Sequence, residues 1–162
     1  MERPLVIKFG GTSVGGGAEF IRAARIAAGA AEERPVAVVV SAMGGTTDTL
    51  LGYARMSSGW VRQTLKQETH EASVAELRRA LAERHLLAAR EAVDPERLPE
   101  VEGRIVDLLR ELEEAIESPS DNLKARRDEI AVYGERLSAE ILAGAISKQG
   151  APARISAERR SP

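Results

Sequence analysis

Six residues near the start of the chain, Lys8-Phe9-Gly10-Gly11-Thr12-Ser13, bring together a cation, a glycine pair and two hydroxyls. Glycines let backbone N–H groups approach an anion with no Cβ in the way. Thr12 and Ser13 add hydroxyl donors, and a helix starting just beyond would add the positive end of its dipole. Only four of the 23 Lys and Arg residues are lysines, and Lys8 interrupts an otherwise apolar run, where an unpartnered ammonium is costly. A phosphate is its natural counter-charge. The pattern is neither a P-loop nor a GxGxxG. A tight glycine turn beside a lysine that reaches solvent accounts for it equally well.

A second run of small residues, Ser41-Ala42-Met43-Gly44-Gly45-Thr46-Thr47-Asp48, offers hydroxyls and free amides suited to a small polar substrate, especially a carboxylate. Thr47 and Asp48 are also good helix N-caps, which is the plainer account. The third place is Tyr133-Gly134-Glu135-Arg136-Leu137-Ser138. A glycine inside a helical pattern costs ~1 kcal/mol relative to alanine, so Gly134 points to close approach of a backbone or ligand. Glu135 beside it has the charge to hold an ammonium, although a solvated glutamate is the commoner fate. His70 and His85 lack metal-ligand spacing and read as surface or helix-packing residues. Trp60 reads as an anchor between helices and sheet, and the Arg/Glu alternation over 76–114 as a solvated face.

The elements that must position these residues follow from periodicity. Leu5 to Phe9 is a short apolar run stopped by glycine, which predicts a strand, and Thr12 to Gly17 a loop. Ala18 to Glu33 has Phe20, Ile21, Ala24, Ala28 and Ala31 at helical spacing. Pro35 ends it, and Val36 to Val40 is an unbroken apolar run, the composition of a strand buried on both faces. This is a βαβ unit, whose right-handed crossover makes the strands parallel and sends both small-residue loops out at the carboxyl ends, where open α/β sheets bind ligands. Helical pattern resumes around Thr49. Val74, Leu77, Leu81 and Ala88 mark one helix, Asp94-Pro95 a break, and Leu98, Val101, Ile105, Leu108, Leu112 and Ile116 a second helix with Pro99 in its first turn. Ser118-Pro119-Ser120-Asp121 is a further break that supplies caps. A long helix spans Leu123 to Lys148, with Ile130, Tyr133, Leu137, Ile141 and Ala145 on one side and Gly150 closing it. Ala151 to Ser156 is the start of a third strand.

Composition sets the class. The 162 residues are 43% apolar and 30% charged, with a net charge of −2 and no cysteine. That suits a single globular domain. Balanced charge argues against nucleic-acid binding. Without cysteine there is no disulfide framework, thiolate metal site or cysteine nucleophile. No apolar run approaches the ~18 residues of a membrane span, and the first residues lack the pattern of a signal peptide. The expectation is a cytoplasmic domain with no membrane partner.

Val6-Ile7-Lys8-Phe9-Gly10-Gly11-Thr12-Ser13-Val14, then Val39-Val40-Ser41-Ala42-Met43-Gly44 with Thr46-Thr47-Asp48, then Gly134-Glu135-Arg136-Leu137-Ser138 strongly resemble aspartate kinase, of the amino-acid kinase superfamily. The motifs stand in the family's order, the first two at its spacing. The charged helical stretch at about 60–120 is similar to an insertion in one branch. The resemblance implies a three-layer α/β/α domain around a mainly parallel sheet, here incomplete, with 1–156 the N-terminal portion of the kinase domain and 157–162 an unstructured tail. It implies transfer of the ATP γ-phosphoryl to the side-chain carboxylate of L-aspartate, giving 4-phospho-aspartate, the first intermediate toward lysine, threonine, methionine and isoleucine. By the same resemblance Lys8 neutralises the transferred phosphoryl and acts in catalysis. Lys8, Phe9, Gly10, Gly11, Thr12 and Ser13 line the nucleotide, Ser41 and Thr47 hold aspartate, Glu135 pairs with its ammonium, and Mg²⁺ bridges the ATP phosphates with no metal site in the chain itself.

The family's later Gly-Arg-Gly-Gly-Ser-Asp type motif, its nucleotide-binding half and its regulatory ACT domains have no counterpart in these residues. After Ser156 the tail departs from the family, and a frameshift or early stop is the expectation, to be tested by reading the downstream DNA in the other frames. A sheet stopped after about three strands leaves apolar surface uncovered, so the chain is expected to form a homo-oligomer, to aggregate or to be partly molten. Two rivals remain at this level: a sister kinase with another carboxylate or carbamate substrate, and an inactive fragment that binds aspartate or a partner subunit.

Overall fold

The computed structural model describes residues 3–56, 67–118 and 122–156. Trp60, the side chain of His70 and the tail at 157–162 lie outside the described residues. Strand β1 (Leu5–Phe9) leads through a 3-10 turn (Gly11–Val14) into helix α1 (Gly17–Ala31), and strand β2 (Val36–Val40) into α2 (Thr46–Met56). Then come α3 (Gln67–Ala92), α4 (Leu98–Glu117) and α5 (Leu123–Lys148). The strands pair in parallel with Leu5 opposite Val36 and Lys8 opposite Val39. Among the described residues they are the whole sheet. This is the expected α/β class, with parallel pairing and a long helical insertion.

Alternation along the strands decides which face meets the helices. Phe9 is buried, and Ile7, Val38 and Val40 pack against the core, whereas Val6, Lys8, Ala37 and Val39 are exposed. The run Val36 to Val40 is therefore not buried on both faces, because the described helices cover one face only. Lys8 stands on the open face, so the cost of burying an ammonium does not apply to it.

The core is chiefly a helix–helix core. Phe20 and Ala24 of α1, Leu50 of α2, Leu81 and Ala88 of α3, Ile105 and Leu112 of α4, and Ile130, Leu137 and Ile141 of α5 are all buried in one cluster. Alanines at 23, 24, 27 and 28 let α1 lie close to its neighbours. The α4 stripe is buried as its spacing predicts, with Pro99 in the first turn. Asn122 caps α5 by accepting a hydrogen bond from the Ala125 N–H at 3.0 Å. The buried Arg126 donates to the carbonyls of Ala115 and Ser118, satisfying groups that the end of α4 leaves without helical partners. Gly144 brings α5 onto Val93, whose Cγ2 would lie 2.8 Å from an added Cβ.

Two boundaries differ from expectation. Helix α2 begins at Thr46 rather than near Thr49, drawn back by the Thr46 N–H bonding the Met43 carbonyl at 2.9 Å. Residues 151–156 form no strand, since they find no ladder partner among the described residues and instead lay Ala151 and Ala153 on the core.

Candidate functional site

Both small-residue loops leave the carboxyl ends of the paired strands and meet there. The Ser41 N–H donates to the Phe9 carbonyl at 3.0 Å, continuing the ladder, and the Gly44 N–H donates to the Gly11 carbonyl at 3.1 Å. A Cβ on Gly11 would lie 2.8 Å from the Ala42 carbonyl oxygen, so glycine is needed there for the loops to touch. Gly10 differs. Its backbone is ordinary extended chain, φ −75° and ψ 170°, and nothing lies within 4 Å of an added Cβ. Folding does not require glycine at that position, and its backbone is left open to close approach.

Helix α5 closes the second loop from behind. A Cβ on Gly134 would stand 2.8 Å from Ala42 Cβ and 3.1 Å from Thr46 Cγ2. The close approach inferred from a glycine in a helix is an approach to the second loop. Glu135, the next residue, is exposed. Arg136 is committed to structure, 2.9 Å from Glu111 of α4 and 5.1 Å above the Tyr133 ring.

The expected site residues fall into place unevenly. Lys8, Thr12 and Ser13 are exposed, Gly10, Gly11 and Ser41 half-buried, and all belong to the joined loops or the strand that feeds them. Phe9 buries its ring in the core, which leaves only its backbone for a ligand. Thr47 and Asp48 lie inside the first turn of α2 and are exposed, so they are not its N-cap. Thr46 Oγ1 is buried and lacks a hydrogen-bond partner among the described residues.

The start of α1 departs from the sequence reading. The Glu91 side chain of α3 lies against Gly17, and Glu19 stands in the first turn with its Oε2 3.3 Å from a Cβ placed on Gly16. The helix's positive end thus faces the chain's own carboxylates, which is favourable for the helix but unfavourable for an added anion. Arg84, also of α3, was not singled out by sequence. Its Nη2 donates to the Gly15 carbonyl at 3.4 Å and its Nη1 lies 3.9 Å from a Cβ placed on Gly45. It sits in a dense Arg/Glu stretch, where no spacing distinguishes it from a solvated arginine.

This pair of glycine loops on parallel strands, backed by a long helix, is that of a known class: residues 3–161 match the amino acid kinase family. The chain belongs to that family. It is 46% identical over 77 residues to the aspartokinase of Chlamydia trachomatis serovar D, covering 46% of this chain and 17% of that protein. It is 30% identical over 150 residues to the chloroplastic bifunctional aspartokinase/homoserine dehydrogenase 2 of Zea mays, covering 91% of this chain and 15% of that one. Two solved structures of E. coli aspartokinase III share the fold over 91% of this chain. The lysine and aspartate complex has a TM-score of 0.65 at 22% identity over 29% of its chain, and the aspartate and ADP complex 0.60 at 23% over 30%. The matched stretches thus span only about a sixth of each of these curated relatives.

Proposed function

We propose that this chain is the acceptor-binding part of an aspartate kinase, which transfers the γ-phosphoryl of ATP to the side-chain carboxylate of L-aspartate to give 4-phospho-aspartate, at the head of lysine and threonine biosynthesis and in the cytoplasm. The observation that carries this reading is the exposed Lys8 two residues before Gly10, whose open backbone stands in a loop hydrogen-bonded to the second glycine loop. Support comes from relatives named as aspartokinases and from a fold neighbour solved with aspartate and ADP.

Phosphoryl transfer asks a protein mainly for positioning and for neutralising charge. Lys8 offers an ammonium to the transferred group, while Gly10 gives the nucleotide close approach to the backbone, with the Thr12 and Ser13 hydroxyls beside it. Ser41 and Thr47, flanking the second loop, hold the acceptor, and Glu135 receives its ammonium. Among the described residues no group of three His, Asp or Glu side chains is placed to hold a metal. In this reading Mg²⁺ would be held by the nucleotide phosphates, in keeping with its preference for phosphate oxygens and water.

The test is trapping of the acyl phosphate. Purified protein with MgATP, aspartate and hydroxylamine is expected to accumulate aspartyl hydroxamate, and the Lys8→Ala variant none. Folded protein that binds aspartate yet forms no hydroxamate makes the chain a binding fragment. Preference for another carboxylate in a substrate panel makes it a sister kinase.

A further inference from the structure

Arg84 lies far from both glycine loops in sequence, and the fold brings its guanidinium to each of them. One nitrogen donates to the carbonyl of Gly15, just after the first loop's 3-10 turn. The other lies 3.9 Å from a Cβ placed on Gly45 in the second loop. Those loops are joined by the bond from the Gly44 N–H to the Gly11 carbonyl, and Arg84 reaches one residue of each, Gly45 next to Gly44 and Gly15 just past the 3-10 turn. At 3.4 Å the Gly15 bond is long and uses one of the five donors that a guanidinium carries. Arg84 is exposed, and among the described residues no carboxylate pairs with it, although its helix neighbour Glu83 pairs with Arg79 at 3.2 Å.

We propose that Arg84 is an oxyanion ligand of the site between the two glycine loops, contributed by the helical insertion. A planar fork with free donors matches a carboxylate or a phosphoryl group, and the charge-assisted bonds it forms are about twice as strong as neutral ones. The oxyanion is either a carboxylate of the acceptor or the terminal phosphoryl of the nucleotide. This inference rests on the kinase reading and adds a second cation, beside Lys8, to its site. The competing account is a strut, in which Arg84 only ties α3 to Gly15. Because that bond needs a donor and not a charge, Arg84→Gln separates the two.

The experiment is calorimetric titration of the chain and its Arg84→Gln and Arg84→Lys variants with L-aspartate and, separately, with MgADP and the ATP analogue AMP-PNP, alongside thermal melts. Arg84→Gln is expected to weaken at least one ligand about tenfold with an unchanged melting temperature, and Arg84→Lys to recover much of the loss. Loss confined to aspartate assigns the acceptor carboxylate. Loss for AMP-PNP but not ADP assigns the terminal phosphoryl. Wild-type affinity for all ligands in Arg84→Gln overturns the proposal, as does weakening that tracks a lowered melting temperature. If the wild-type chain binds none of them, the kinase reading itself falls, an outcome distinct from either.

Discussion

Gly134 of α5 and Ala42 of the second loop lie so close that a Cβ on the glycine would stand 2.8 Å from the Cβ of the alanine. The alanine's carbonyl oxygen meanwhile sits 2.8 Å from where Gly11 would carry a Cβ. Ala42 is thus held between the first loop and the long helix, and its placement fixes both the Ser41 and the Thr47 ends of the second loop. Gly134→Ala is expected to destabilise the protein by about 1–2 kcal/mol, since overpacking outweighs the ~1 kcal/mol gain in helix propensity. Ala42→Gly removes one of the clashing atoms, so the double variant should recover part of that loss. A melting series across the four proteins reads the coupling, and strict additivity would show that the contact does not matter.

The adjacent glycines of the first loop should respond in opposite ways. Gly11→Ala drives a methyl into a backbone carbonyl and should cost about 2 kcal/mol of stability. Gly10→Ala meets open space at an ordinary φ, so its melting temperature should stay at or slightly above that of the wild type. Nucleotide binding should nevertheless weaken about tenfold or more, because the methyl stands where the ligand approaches. Undiminished binding in Gly10→Ala would remove the main structural support for a nucleotide over this loop.

His85 ties stability to pH. Its imidazole is wholly buried in α3, with Nδ1 2.7 Å from the Leu81 carbonyl and Nε2 without a partner among the described residues. Burial lowers its pKa from 6.5 to about 4; the bond to Leu81 opposes this and Arg84 adds to it. The folded state therefore holds fewer protons than the unfolded chain between those values. The stabilising contribution is fully present above about pH 6.5 and is lost as pH falls toward about 4, amounting to about 3 kcal/mol. Denaturant unfolding at pH 7 and pH 4.5 should show this fall, and His85→Leu should flatten it. An equally steep pH profile in the variant would assign the acid sensitivity to carboxylates.

Periodicity located the helices because the side chains that pack here repeat at helical spacing. Ile130, Leu137 and Ile141 are buried on α5, as are Ile105 and Leu112 on α4, and the Leu123 to Lys148 helix runs between its expected ends. The glycine loops were legible for the same local reason, each following an apolar strand. What sequence could not show was tertiary. The burial of Val36 to Val40 depends on which layers cover the sheet, and residues 151–156 need a ladder partner to become a strand. The roles of Gly10 and Gly11 look alike in a string of letters and separate only once Ala42 is in place. Arg84 and Glu91 reach the first loop and the start of α1 from a helix far along the chain, a juxtaposition that no local pattern encodes.

The open face of the sheet should govern solution behaviour. Val6 is 65% exposed and Val39 50%, with Ala37 opposite Val6, Lys8 opposite Val39, and Lys8 the one charge among the four. Among the described residues this face has no covering layer and neither strand has a further ladder partner, which favours association over hydration. Sedimentation equilibrium is expected to show concentration-dependent self-association. Val39→Lys puts a second ammonium on that face beside Lys8, its register partner in β1, and like charges placed directly opposite repel. The variant should shift the population toward monomer and lower the melting temperature modestly, because the two ammoniums also repel across the β1–β2 pair while the replaced side chain packs on nothing in the core. A wild type that remains monomeric across the concentration range would mean that hydration of this face, with Lys8 at its centre, is enough to keep copies apart.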